Sequence, residues 1–394
     1  MSLFLDEAKS LEDRMIGIRR KLHSHPELAY HETDTARFVS STLEGLGIET
    51  RERVGGTGVV GVLKGSGPGH VVALRADMDA LPLKEDTGVG FESRTVGVMH
   101  ACGHDAHMAM LLGAAMILAK HRDELRGAVK FLFQPAEEAA ERGGGAQPMI
   151  EDGALANPKP DFVFGLHIFS NYPAGTFALR GGPLMAASGT FRVRVMGKGG
   201  HGSAPHQTTD PVFIAAQVIT ALQGIRSRMV DPVEPFVISI CSVHSGTMNN
   251  IIPDEAVLEG TVRTVKNDTT ARMKRLIPEI ARSVCKTFGA GCEVELENAY
   301  PVTVNDPSVT SSVRKLLESI PETKTLEVPT SLVAEDFSFF LRKVPGTFYF
   351  LGTRNEDLGC VHPNHSSRFK IDESVLKYGA ASLALLAFQF AKRD

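Results

Sequence analysis

The chain has no tryptophan, only five tyrosines and only five cysteines in 394 residues. An odd number of cysteines scattered over so long a chain is a poor disulfide framework, so free thiols and a reducing cytoplasm are expected. An excess of either charge is also missing: 42 basic residues against 46 acidic ones give a formal net charge of -4. That balance offers no basic footprint for nucleic acid or anionic lipid and leaves a small molecule or peptide as the expected partner. No apolar run approaches a membrane span, and the opening stretch, MSLFLDEAKSLEDRMIGIRRKLHSHPEL, lacks the uninterrupted apolar core of a secretory signal. Repeats and low-complexity tracts are absent, and the one glycine cluster is Gly143 to Gly145.

Apolar material is plentiful, with 43% hydrophobic and 22% charged residues. At this length one core usually stops growing, so two domains are expected. The first half alternates short apolar runs with helical patterns, which predicts an α/β domain with a mixed, mostly parallel sheet and helices on both faces. Val71 to Leu74, Val129 to Phe133 and Phe162 to Leu166 read as strands, and Ala106 to Lys120 as a buried helix. The middle reads as an inserted unit, residues 186–298, with β-α-β-β-α-β order and therefore a ferredoxin-like α+β fold. Its strands are expected at Thr190 to Gly197, Phe236 to Val243, Ala256 to Thr264 and Cys292 to Glu297. One of its helices opens on Asp210 and Pro211, as cap and first-turn proline, and the other near Asp268. The α/β pattern then resumes at Val309 to Leu317, Phe337 to Leu341 and Phe348 to Leu351, with a terminal helix from Glu373 to Ala391. The catalytic domain would thus be discontinuous, residues 1–185 and 299–394.

Open α/β sheets carry their sites at the carboxyl ends of strands, so polar residues that follow apolar runs are the ones to inspect. Asp77 and Asp79 follow VVALR, Glu137 and Glu138 follow KFLFQPA, and His167 follows DFVFGL. MHACGHDAH, from Met99 to His107, packs three histidines, a cysteine and an aspartate just before a helix. Each has an ordinary explanation when taken singly: a hydrogen-bonded strand-end histidine, a solvated glutamate pair, a buried inert thiol. Together, thiolate, imidazole and carboxylate make the ligand set of zinc and related ions. Because Glu137 and Glu138 are adjacent, one can face a metal and the other the water that the metal acidifies. Two rival readings use the same residues. One is a thiol hydrolase with Cys102 as nucleophile and His104 as base, although residues two apart seldom face each other; the other is a non-catalytic metal-binding protein.

At these motifs the sequence resembles the di-metal metallopeptidases that include aminoacylases, hippurate hydrolases, auxin-conjugate hydrolases and thermostable carboxypeptidases. The matching stretches span nearly the whole chain: HSHPEL, LRADMDALP, MHACGHDAHMAMLLGAA, FQPAEE, FGLH, GKGGHGSAPH, NNIIPD, AEDFS and NHSSRF. The resemblance implies two divalent ions per subunit, zinc favoured by the thiolate and cobalt or manganese as alternatives. Cys102 would bridge them, with Glu138 and His365 completing one site and His104 and His167 the other. Glu137 would be the general acid/base and Asp79 an orienting aspartate. Asp77 stands where distant relatives have a metal-binding histidine. His362 is the alternative to His365 in HPNHSSRF, and spacing to Phe369 favours His365. His100 and His107 flank the cluster and are expected to make helix-start hydrogen bonds. By the same resemblance His201 reaches a partner's active site to support the oxyanion, Asn250 and Arg263 hold a substrate carboxylate, and the insert is a lid and dimerisation unit, which implies a homodimer. The reaction implied is amide hydrolysis that frees an amino acid from an acyl or peptidyl group.

Overall fold

The computed structural model describes residues 2–392. They form two compact units, one of residues up to Leu184 with Val304–Pro329 and Asp336 onward, the other of Met185–Thr303 with Thr330–Glu335.

The first unit is built on an eight-stranded mixed sheet. Its strands run in the order Glu49–Val54, Gly58–Lys64, Arg126–Gln134, Gly67–Asp77, Phe162–Pro173, Gly346–Arg354, Thr176–Leu179, Lys324–Glu327. The four pairings through the middle of the sheet and at its far edge are parallel, and the antiparallel ones join Glu49–Val54 to Gly58–Lys64, the latter to Arg126–Gln134, and Thr176–Leu179 to Gly346–Arg354. The Gly346–Arg354 strand is buried along nearly its whole length, as a strand covered on both sides must be. Two apolar helices, His104–Lys120 and Leu376–Phe390, pack on each other and on the Gly67–Asp77 and Phe162–Pro173 strands. Both are rich in alanine and leucine, so they form readily and approach closely. Every residue of the first helix from His104 to Leu118 is buried.

Several elements differ from the sequence reading in ways that matter for the site. The strand expected to stop at Leu166 continues to Pro173, so His167 lies within a strand and not at its end; it is opposite Phe350 in the parallel register. The Ala106 to Lys120 helix begins two residues earlier, on His104. Phe337 to Leu341 yields a short helix, Ser338–Leu341, and the terminal helix is Leu376–Phe390 after a 3₁₀ turn at Glu373–Val375.

The second unit has a four-stranded antiparallel sheet ordered Phe236–Ser245, Glu255–Thr264, Ala187–Met196, Gly291–Tyr300, with helices Pro211–Arg228 and Asn267–Thr287. Asp210 caps the first helix, its carboxylate accepting from the backbone N–H of Val212 at 2.9 Å and of Phe213 at 3.2 Å. The inward side chains of the strands alternate with exposed ones, giving a separate core around Phe191, Val193, Val218, Leu258 and Ile277. Among the described residues no helix is long and apolar enough to cross a membrane.

Candidate metal centre

Six of the residues singled out from the sequence converge in the first unit. Ligand-type atoms of Cys102, His104 and His167 lie within 4.8 Å of one another, as do those of Cys102, Glu138 and His365, and those of His104, Glu137 and Glu138. These overlapping triples share Cys102, His104 and Glu138, which makes one continuous cluster and not three. His167 Nε2 and His365 Nε2 each stand 3.3 Å from Cys102 Sγ. His365 Nε2 is also 3.0 Å from Glu138 Oε1. His362 enters none of these groups.

The backbone explains why such distant residues meet. Gly103 caps the His104–Lys120 helix with φ of +93°, and a Cβ there would lie 2.3 Å from Ile168 Cδ1. Only glycine permits both that turn and that approach, and the turn sets Cys102 and His104 on either side of it. At the other end of the chain His365 adopts φ of +67°, and its N–H donates to the Ala101 carbonyl at 2.8 Å. Asn364 pins the same segment, donating to the Cys102 carbonyl at 2.9 Å and to the Ile168 carbonyl at 3.2 Å.

Asp79 organises the glutamates. Its Oδ1 accepts from Glu137 N at 3.0 Å and its Oδ2 from Glu138 N at 2.8 Å. Its carbonyl accepts from His104 Nδ1 at 2.9 Å. With Nδ1 so engaged, His104 turns its Nε2 toward the cluster, and that buried atom has no hydrogen-bond partner among the described residues. His167 repeats the pattern, donating Nδ1–H to the Ile168 carbonyl at 2.7 Å and turning Nε2 toward the thiol. Backbone carbonyls that lock an imidazole in this way are the usual second layer of a metal site. The donor set and the orphaned nitrogen therefore fit divalent cations.

Electrostatics agree. Burial opposes charging of His104, but Asp77, Asp79 and Glu138 outweigh it and push the imidazole up to about 10. Burial, Glu138, Glu137 and Asp77 together hold the Cys102 thiol well above its ordinary range. Burial pushes His167 the other way, toward the neutral form, with His107 adding to the effect. A pocket with this concentration of acceptors attracts cations and, without one, keeps its thiol protonated. That is a poor setting for a cysteine nucleophile.

Asp77 borders the cluster, with its Oδ2 3.6 Å from His104 Nε2, but both of its oxygens are engaged elsewhere. Its Oδ1 accepts from His107 Nδ1 at 2.5 Å and its Oδ2 from Arg75 Nη1 at 2.5 Å. His107 Nε2 in turn accepts the Ile168 N–H at 2.9 Å. His107 thus ties the end of the Gly67–Asp77 strand to the middle of the Phe162–Pro173 strand and makes no helix-start bond. His100 is buried with no partner at either ring nitrogen among the described residues, so the same expectation fails for it. Sequence reasoning also missed Asp336, which accepts from Arg75 Nη2 at 2.9 Å and from the N–H groups of Gly145 and Ala146 at 3.1 and 3.0 Å. The AEDFS motif contains it, but an aspartate that bonds to backbone has no local signature.

The remaining candidates lie in the second unit. His201 is exposed on the short Gly200–His201 strand, opposite Ile251, and Ser203 donates to its Nδ1. Asn250 adjoins it, its carbonyl accepting the Gly202 N–H at 2.9 Å. Arg263 sits on the Glu255–Thr264 strand, half-buried, with its guanidinium on the Val262 carbonyl at 3.0 Å and on the Thr261 hydroxyl.

A thiol, three imidazoles and a carboxylate pair, gathered on a mostly parallel α/β sheet, define a metallohydrolase. The comparisons with known proteins give the class its family. The profile of Peptidase family M20/M25/M40 matches residues 73–389. The chain is 52% identical over 390 residues to thermostable carboxypeptidase 1 of Saccharolobus solfataricus, covering 98% of each. It is 40% identical over 367 residues to N-acetyl-L-cysteine deacetylase of Bacillus subtilis, covering 93% of this chain and 86% of that one. Among solved structures it resembles the Bacillus subtilis YXEP protein, described as a dinuclear metal binding peptidase, with a TM-score of 0.84 and 34% identity over 97% of this chain and 99% of that one. The chain belongs to the M20/M25/M40 peptidase family and is a metal-dependent hydrolase of amide bonds.

Proposed function

We propose that the enzyme hydrolyses the amide bond of N-acyl amino acids or short peptides and releases a free C-terminal amino acid. The observation that carries this reading is the division of the glutamate pair by Asp79: Glu138 turns to His365 and Cys102, while Glu137 stays beside it without joining that triple.

In this reading Cys102, Glu138 and His365 would hold one cation, and His104 and His167, with the same thiolate, would hold the other. When bound, the cations would acidify the attacking water and polarise the scissile carbonyl. Glu137 takes the proton of that water and passes it to the leaving amine. Asp79 holds both glutamates and His104 in register for this transfer. Zinc is the favoured ion, because thiolate and imidazole are its ligands, with cobalt and manganese as alternatives. Arg263 and Asn250 bind the substrate carboxylate, a group suited to the guanidinium fork. His201 of one subunit supports the oxyanion in the other, so the working form is a homodimer in which the second unit serves as lid and dimerisation module. The scattered free cysteines support a cytoplasmic location.

The test is a panel of acetyl, benzoyl and benzyloxycarbonyl amino acids and dipeptides, assayed with and without chelator. Activity lost on chelation and restored by zinc, cobalt or manganese is expected. Glu137→Gln should keep its metal and lose about 10²–10⁴-fold in kcat. Activity that survives chelation would return the thiol mechanism to consideration.

A further inference from the structure

Glu32 immediately precedes the Thr33–Glu44 helix and makes no side-chain cap there. It is 0% exposed, and it reaches a segment 104 residues away. Its Oε1 accepts from the Ala136 N–H at 2.8 Å, and the Thr57 hydroxyl donates to its Oε2.

Ala136 adopts φ of +56°, in the left-handed region that a residue with a Cβ rarely enters. It is the residue just before Glu137. The next two N–H groups, those of Glu137 and Glu138, go to Asp79. Three consecutive backbone donors are therefore held by two buried carboxylates. The left-handed turn at the first of them sets the direction in which the glutamate pair leaves the Arg126–Gln134 strand. Burial, with Asp79 nearby, pushes Glu32 up to about 7, so its placement is opposed by its surroundings and upheld by these bonds. Tyr30 fastens the far end of the same loop, donating its hydroxyl to the Gly144 carbonyl at 2.8 Å.

We infer that Glu32 is a positioning residue for hydrolysis: through the Ala136 N–H it fixes the strained turn from which Glu137 and Glu138 leave the Arg126–Gln134 strand. This rests on the reading of Glu137 as general acid/base. Glu32 belongs to none of the groups that could hold a cation, and its proton is not used.

The experiment compares Glu32→Ala, Glu32→Gln and Glu32→Ala/Ala136→Gly, reading kcat, KM, bound metal and hydrogen exchange in residues 134–146. Glu32→Ala should lose about 10–100-fold in kcat, with metal content unchanged, KM within about threefold and faster exchange in that peptide. Glu32→Gln keeps an acceptor for Ala136 and can donate to Thr57, so it should stay within about threefold of wild type. Glycine enters the left-handed region freely, so the double variant should regain about fivefold or more over Glu32→Ala. Wild-type kcat in Glu32→Ala, a loss confined to KM or metal content, or no recovery in the double variant overturns the inference. So does a Glu32→Gln variant as impaired as Glu32→Ala. If Glu32→Ala does not fold, Thr57→Val, which removes the other tether on Glu32, should give the same signature at smaller size, and wild-type kcat and exchange there overturn it. Wild type and Glu137→Gln run alongside. If wild type cleaves no substrate of the panel, or Glu137→Gln equals wild type, the acid/base reading falls and this inference with it; if both controls behave and Glu32→Ala is normal, only the inference falls.

Discussion

His167 points Nε2 at the Cys102 sulfur across 3.3 Å while its Nδ1–H is held by the Ile168 carbonyl. The ring cannot turn away, so the thiol has a fixed neutral acceptor beside it. Cys102→Ser replaces a soft sulfur with a hydroxyl that ionises far less readily, at the atom common to two of the donor triples. Metal content after dialysis, measured by plasma mass spectrometry, should fall well below that of wild type, and hydrolysis should fall with it. Full metal retention would remove Cys102 from the centre.

Asp79 accepts two consecutive N–H groups with its two oxygens. In Asp79→Asn one of those oxygens becomes an NH₂, so a donor faces a donor at Glu137 or Glu138. We expect about 10–100-fold weaker metal binding or turnover, with faster amide exchange in the Glu137–Glu138 turn. Titration with zinc and steady-state kinetics check this, and unchanged values in both would deny Asp79 its organising role.

Gly103→Ala meets two obstacles, a left-handed φ of +93° and an Ile168 methyl 2.3 Å from the new Cβ. A loss of about 1–3 kcal/mol in stability follows from strain and overpacking. Differential scanning calorimetry of the metal-free protein should show a lower Tm, which separates this effect from metal affinity.

His23 carries a pH dependence of stability. Its Nδ1 lies 2.8 Å from Asp105 Oδ2 and its Nε2 3.0 Å from Glu85 Oε1. Burial opposes the charged ring, but Asp105 and Glu85 outweigh it and raise the imidazole above its ordinary value. A group raised in this way stabilises the fold fully below its unfolded pKa and loses that contribution as pH climbs through the folded one. Urea midpoints from about pH 6 to about pH 9 should fall more steeply for wild type than for His23→Gln. Parallel slopes would place the pH dependence elsewhere.

Much of the fold was legible because apolar runs report burial directly. The Arg126–Gln134 and Gly67–Asp77 strands were readable from Val129 to Phe133 and Val71 to Leu74, and the caps at Asp210 and Pro211 marked a helix start. The cluster was legible because its residue types are uncommon together. Less so was what fixes them: Asn364, Asp336 and Glu32 act through backbone groups far along the chain, and such bonds leave no spacing to read. His107 was misjudged for a related reason, since its partner Asp77 lies at the end of another strand and not in the next turn. The prolongation of the Phe162–Pro173 strand came from pairing with Gly346–Arg354, a tertiary effect that overrides the local pattern.

Cys102 and His365 stand 263 residues apart in the chain. During synthesis the thiol is therefore made long before the imidazole that will flank it. Until His365 arrives, the sulfur lacks one of its two imidazole neighbours and the Asn364 bond that fastens its loop. The order of residues thus leaves completion of the centre to one of the last segments made, when the stretch around Asn364 folds back onto the Cys102 loop.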